Sequence, residues 1–126
     1  MLAEEIATRL QTEGIGTVAV DLFIGRLPLN QNNSVAIIHG PSPRPNPAID
    51  LHEQIIEFQS RFASTIDGFN KLKEIETLFH RKVSFDLGDF HIYLANDMGE
   101  IEDFEVDSEN RKIFRLLMRF IYRPVV

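Results

Sequence analysis

The feature that most constrains the fold is a change of hydrophobic period within residues 53–79. In residues 53–62 apolar and polar side chains alternate, which is typical of a strand with one buried face. In residues 64–79 the apolar side chains recur every three or four positions, which is typical of an amphipathic helix. Ser64 and Asp67 have the spacing of a helix-capping sequence. The segment therefore predicts a strand that runs directly into a helix folded back over a sheet.

The same two patterns predict the core. One side of the strand and one stripe of the helix should be buried, and together they contribute Ile56, Phe58, Phe62, Phe69, Leu72 and Phe79. The other side of the strand carries Glu57, Gln59 and Arg61, which the alternation places away from this core.

The remaining segments predict a small sheet with a second helix. Residues 2–13 are typical of a helix that ends at the following glycines. The β-branched segments 17–24 and 34–39 predict two strands, which we expect to pair. Residues 112–123 predict a long strand with two partly apolar faces, as in the centre of a sheet. The 126 residues thus predict one α+β domain, 1–126, with a mixed or antiparallel sheet of four to six strands. An N-terminal helix and a central amphipathic helix, at about residues 64–80, would flank this sheet.

Residues 40–50 contain prolines at alternate positions, Pro41, Pro43, Pro45 and Pro47. Proline excludes helix interiors and central strands, so this spacing predicts a stiff surface loop. A polyproline ligand of an SH3-type domain is the alternative, although alternate prolines are not the Pro-x-x-Pro pattern.

An acidic segment precedes the last strand. Residues 97–109 contain no Lys or Arg and carry Asp97, Glu100, Glu102, Asp103, Glu105, Asp107 and Glu109, which predicts a solvated loop or an edge strand. Along the last strand, Arg115, Arg119 and Arg123 recur on one face beside Leu117 and Ile121. Two interpretations remain open for these charges. The arginines pair with the acids of a neighbouring copy, or with the same acids across a hairpin of one chain.

Several classes of function find no support in the sequence. The net charge of −6 weighs against gripping nucleic acid through its phosphates. The absence of cysteine excludes disulfides, thiolate metal sites and cysteine nucleophiles. The four histidines lack metal-ligand spacing, and no nucleotide-binding or nucleophile motif is present. We therefore expect no catalytic, cofactor-binding or metal-binding residues. We also expect no signal peptide and no membrane span.

One resemblance covers most of the chain. It rests on the helix 6–10, the segment Phe-Ile-Gly-Arg-Leu-Pro at 23–28, the strands 35–38 and 56–62, and the closing strand 114–123. In this order they resemble the tail terminator, or tail completion, proteins of long-tailed bacteriophages, often labelled minor capsid proteins. The segment 23–28 is the most specific of the five.

The resemblance implies a structural virion protein with no enzymatic activity. Such a protein forms a ring, usually hexameric, that caps the tail tube and joins it to the neck connector, while double-stranded DNA passes through the lumen. It would be made in the cytoplasm of the host bacterium and would bind no membrane. An acidic protein without a basic stripe suits a conduit that does not hold DNA.

A ring requires two different faces of each copy to meet. The candidate faces are the arginines Arg115, Arg119 and Arg123 and the acids Glu102, Asp103, Glu105 and Asp107. On this hypothesis Glu57, Gln59 and Arg61 lie at an interface or in the lumen. The alternatives are another connector component, such as a stopper or a tube-like protein, or a small non-viral ligand-binding domain. The last predicts a monomer or dimer with a closed apolar pocket.

Overall fold

The computed structural model describes residues 1–42 and 51–125, which form two helices and one mixed sheet of seven strands. The helices are α1 (Leu2–Thr12) and α2 (Thr65–Phe79). The strands are β1 (Leu22–Ile24), β2 (Ser34–His39), β3 (His52–Arg61), β4 (Lys82–Leu87), β5 (Phe90–Asp97), β6 (Glu102–Val106) and β7 (Lys112–Pro124). The α+β class is confirmed. The sheet has seven strands, one more than the four to six expected, and the acidic segment forms one of them, β6.

Strand β7 lies at the centre of the sheet, whose order is β1-β2-β3-β7-β5-β4. One edge of β7 pairs antiparallel with β3 along the whole length of that strand. Its other edge pairs with β6 in the N-terminal half and with β5 in the C-terminal half. The long final strand is therefore central, as its two partly apolar faces predicted.

Both helices pack on one face of the sheet and form the main core with it. Helix α1 buries one apolar stripe, made of Leu2, Ala3, Ile6, Ala7 and Leu10. The buried face of β7 consists of alternate residues, Phe114, Leu116, Met118 and Phe120. Phe79 of α2 contacts Phe120 edge to face, with ring centroids 5.5 Å apart.

Helix α2 begins as its capping sequence predicted, because the Asp67 N–H donates to Ser64 Oγ at 3.5 Å. Its buried residues include Leu72 and Phe79, but Phe69 is 40 % exposed, so its assignment to the core was wrong. Gly68 occupies the buried position instead, and its carbonyl accepts a hydrogen bond from Ser60 Oγ at 2.9 Å. This close approach of helix and sheet turns Phe69 to the flank.

The predicted strand at 17–24 is only partly a strand. Residues 17–21 form a turn in which the N–H groups of Val20 and Asp21 donate to the Thr17 carbonyl. Ala19 there has a φ of 66°, which an extended strand does not allow. The three remaining residues form β1, which pairs with β2 as expected and runs parallel to it.

Two further segments, β5 and the proline-rich segment, complete the description. In β5 the register with β7 shifts between Ile92 and Leu94, so Tyr93 is an extra residue and Ala95 becomes buried in place of Leu94. Of the proline-rich segment, residues 43–50 lie outside the described residues, so the loop there stays a prediction.

Candidate functional site on the open face of the sheet

The sheet has a second face that neither helix covers, and we call it the open face. Its central residues come from β3 and β7 and alternate with the core positions: Glu53, Ile55, Glu57, Gln59, Arg61, Ile113, Arg115, Leu117, Arg119, Ile121 and Arg123. The connection 25–33 closes one end of this face, where Leu27 packs with Ala36 and Ile113. The rest is half-buried or exposed, and it mixes aliphatic and charged groups.

Arg61 lies at the closed end and is only 4 % exposed. Its Nη2 donates to the carbonyls of Pro28 and of Gln31, the latter at 2.9 Å, and its Nη1 lies 3.7 Å from Asp107 Oδ2. Burial, followed by the nearby charge of Arg111, lowers the pKa of Arg61. This guanidinium is therefore buried and bound within its own chain.

Arg111 completes this network, and the sequence analysis did not single it out. Its Nε donates to Asp107 Oδ2 at 2.8 Å, its Nη2 to the Leu29 carbonyl at 3.0 Å and its Nη1 to Asn32 Oδ1 at 3.0 Å. Burial opposes ionisation of Asp107, but hydrogen bonds from Arg111 and from the Glu109 N–H lower its pKa. The only local signal was the spacing of four between Asp107 and Arg111.

Part of the acidic segment pairs with β7 of the same chain. Arg115 Nη2 lies 2.6 Å from Glu102 Oε2, and Lys112 Nζ lies 2.9 Å from Asp103 Oδ2. The Arg115 guanidinium also covers the ring of Phe104, 4.4 Å from its centroid. Of the three arginines, the hairpin interpretation is thus confirmed for Arg115, whereas Arg119 lies against Glu53 of β3. A contact of the same residues with a neighbouring copy stays a prediction.

Other charged groups of the predicted site have little or no bonding within the chain. Arg119 Nη1 is 3.5 Å from Glu53 Oε1, and both side chains are about a third exposed. Glu57 accepts a hydrogen bond from the amide of Gln59. Arg123 and Glu105 are exposed, and across residues 1–42 and 51–125 neither side chain makes a hydrogen bond or an ion pair.

The free edges of the sheet are poorly suited to pairing with another strand. At β1 the backbone of Leu22 is hydrogen-bonded to the preceding turn. Its N–H donates to the Thr17 carbonyl at 3.1 Å, and its carbonyl accepts from the Ala19 N–H at 2.9 Å. In β4, Ser84 has a φ of 51° and interrupts the pairing. In β6 the register shifts around Phe104, and the whole strand is exposed and acidic. Bulges and charges of this kind disfavour edge-to-edge association, which leaves the faces.

A groove lies on the opposite, helical side, between α2 and the turn at residues 97–101. Its volume is about 490 Å³, and its lining includes Phe69, Lys73, Glu76, Asp97, Gly99, Glu100 and Ile101. Lys73 Nζ is 2.9 Å from Glu76 Oε1, and His80 Nδ1 is 3.4 Å from Asp97 Oδ1. Burial, then a hydrogen bond with Glu76, raises the pKa of Asp97. This groove was not predicted, because its walls are far apart in the sequence.

Two other kinds of feature are absent from the part of the chain that the structure describes. No group of three or more His, Asp or Glu side chains is arranged there to hold a metal ion. No helix there is long and apolar enough to cross a membrane.

Comparison with known families agrees with the resemblance. A family model described as bacteriophage tail terminator protein matches residues 9–124. The matched span contains α2 and all seven strands of the described structure. Comparison with curated proteins gives no match. Because the family model covers nearly the whole chain, the protein belongs to the bacteriophage tail terminator family.

Proposed function

We propose that the protein forms a ring that terminates the tail tube and joins it to the neck connector, with DNA passing through the lumen. Membership of the family supports the coarser part, a structural role in the phage tail in association with other tail and neck proteins. The ring, the joint and the passage of DNA are what the proposal adds. As the resemblance implies, we expect about six copies in the ring.

The observation that carries the proposal is the composition of the open face. Leu117 and Ile121 lie half-buried on this face, where they alternate with Arg115, Arg119 and Arg123, and no helix covers them. Arginine beside aliphatic groups is typical of protein interfaces, and an apolar face of this kind calls for a partner. Since the sheet edges are interrupted, association through this face supports a ring better than extension of the sheet does.

Contacts within the chain reduce the number of acidic residues that are candidates for the proposed interface. Glu102, Asp103 and Asp107 are paired with basic groups of their own chain, so they have less charge to offer a neighbour. Glu105 remains exposed, and Glu57 on the open face is bonded only to a neutral amide. We retain Glu57 and Gln59 as interface or lumen residues, and we expect Arg61 to act indirectly, by holding the connection 25–33.

The passage of DNA is supported by charge alone. The chain carries a net charge of −6, and its acidic hairpin is exposed. Tight binding of DNA needs several Lys or Arg contacts to phosphates, so a lumen lined by this protein would let the duplex slide.

Native mass spectrometry combined with negative-stain imaging tests the ring. The expected result is a particle of about six times the 14.5 kDa protomer with a central hole. Addition of the protein to growing tail tubes should then stop their extension. Filaments in place of closed rings would favour the tube-like alternative, and a stable monomer at every concentration, with or without tubes, would contradict the proposal.

A further inference from the structure

The groove beside α2 has the composition of a binding site for a basic side chain. Phe69, 40 % exposed, and half-buried Ile101 contribute apolar surface to its lining. Three carboxylates, Glu76, Asp97 and Glu100, also line it, against the single ammonium of Lys73.

The negative charge of the groove is not balanced within the chain. Lys73 is bound to Glu76 at 2.9 Å, so its charge is largely committed to one of the three carboxylates. Glu100 is exposed and makes no hydrogen bond or ion pair across the described ranges 1–42 and 51–125. Asp97 lies 3.4 Å from His80 Nδ1, and burial, followed by a hydrogen bond with Glu76, raises the pKa of Asp97.

The other side of the sheet offers the complementary group. Arg123 is exposed on the open face and has no partner among the described residues. A guanidinium packs on an aromatic ring through its flat face and bonds carboxylates through its edge, and its aliphatic stem can lie on apolar surface. A groove with an aromatic group, an aliphatic group and the free carboxylate of Glu100 beside Asp97 matches these three parts of an arginine side chain.

The relative position of the two sites matters for assembly. The groove lies on the helical side of the sheet, and Arg123 lies on the open face. When the open face of one copy meets the helical side of the next, each copy still has one site free. Such a heterologous contact can repeat from copy to copy and closes into a ring when its rotation allows, whereas a contact between identical patches stops at two copies.

We propose that the groove between α2 and residues 97–101 binds the Arg123 side chain of a second copy of this chain. The inference rests on the proposed ring and names the contact that closes it. On this inference the acidic partner of the arginine lies at Asp97, Glu100 and helix α2, and not at the acids of β6.

Cysteine cross-linking tests the contact directly, because the chain has no cysteine of its own. We would introduce Met98→Cys and Val125→Cys together, at exposed positions two residues from Glu100 and Arg123, and treat the assembled protein with a short bismaleimide. The contact residues stay in place, and the expected product is a ladder of covalent multimers that ends at the ring. Each single variant should give at most a dimer, and Met98→Cys combined with Arg26→Cys, at an exposed position of the connection 25–33, is the matched control.

The outcomes separate this inference from the proposed function. If the wild-type protein forms rings but the paired cysteines give no ladder, the contact is wrong and the ring stands. If the wild-type protein never forms rings, both proposals fail. A cross-link that joins this chain only to an added tail tube protein would assign the groove to the tube and overturn the second copy as its occupant.

Exchange of the charges at positions 100 and 123 tests the same contact through the strength of association. Arg123→Glu alone and Glu100→Arg alone should each weaken association by about tenfold or more, and the double variant should regain much of it. Circular dichroism of the three variants shows whether they are folded. Recovery in the double variant would show that the two positions meet, while equal weakening in all three would contradict the contact.

Discussion

Arg61 Nη1 lies 3.7 Å from Asp107 Oδ2, at side-chain exposures of 5 % and 15 %. Through this pair the end of β3 is joined to the tip of the β6–β7 hairpin. The same guanidinium donates to the carbonyls of Pro28 and Gln31, which fixes the connection 25–33 over the end of the open face. One end of that face is closed by the chain itself, and the other is available to a partner.

The Arg61 network should contribute substantially to stability. In Arg61→Met two carbonyls lose their donor and Asp107 loses a cation, so we expect the free energy of unfolding to fall by about 2 kcal/mol or more. Urea unfolding followed by circular dichroism measures this change. The matched control is Arg26→Met, an exposed arginine without partners in the described chain, which should stay within about 0.5 kcal/mol of the wild type. Equal losses in the two variants would contradict a role for the network.

Replacement of the two phenylalanines of α2 should lower the free energy of unfolding by very different amounts. Phe79 is fully buried and contacts Phe85 and Phe120, so Phe79→Ala should leave a cavity that costs about 3–5 kcal/mol. Phe69 is 40 % exposed and has one edge contact, with Phe114, so Phe69→Ala should cost about 1 kcal/mol or less. The urea midpoints of both variants measure these losses of stability. A loss in Phe69→Ala as large as that in Phe79→Ala would show that Phe69 belongs to the core.

What could be predicted from the sequence depended on local pattern. Helix α2 follows from Ser64 and the apolar stripe that ends at Phe79, and the buried face of β7 follows from alternation over a long strand. These signals lie within one element, where hydrophobic period decides which side is buried. The resemblance of the segment 23–28 also predicted the family, and the family match confirmed it.

What could not be predicted depended on contacts between distant segments. The exposure of Phe69 follows from Gly68 lying against Ser60 of β3. The carbonyls that Arg111 binds are about eighty positions away, so neither spacing nor periodicity marks it as structural. The shortening of β1 has a local cause, because hydrogen bonds to the Thr17 carbonyl overcame the β propensity of the valines around Ala19.

His39 should make stability depend on pH. Its Nε2 accepts a hydrogen bond from the Ala3 N–H at 3.2 Å, which occupies a donor at the start of α1. Although the side chain as a whole is exposed, burial of the ring is the first cause that lowers the pKa of His39 below 6.5. The N-terminal charge adds to this effect, and Gln54 opposes it. The unfolded chain then takes up the proton at a higher pH than the folded chain.

This difference in pKa between the folded and unfolded chain decides how stability changes with pH. The contribution of His39 is fully present above a pH of about 6.5 and is lost as the pH falls toward the pKa of the folded state. His39→Gln keeps an acceptor but does not titrate, so its free energy of unfolding should fall less than that of the wild type between pH values of about 7.5 and 5.5. Urea unfolding at both pH values measures the two changes, and identical losses would show that His39 does not titrate on unfolding.

Arg115 and Arg119 lie on the same face of β7, but charge reversal should affect them differently. Arg115 holds the hairpin through Glu102 and the ring of Phe104, so Arg115→Glu should loosen β6 and speed hydrogen exchange of its amides. Arg119 is a third exposed and has a longer contact, with Glu53, so Arg119→Glu should leave β6 protected and weaken association of the copies. Hydrogen exchange and light scattering on both variants separate the two effects. If neither variant changed the mass of the assembled particle, we would abandon the arginine face as part of the interface.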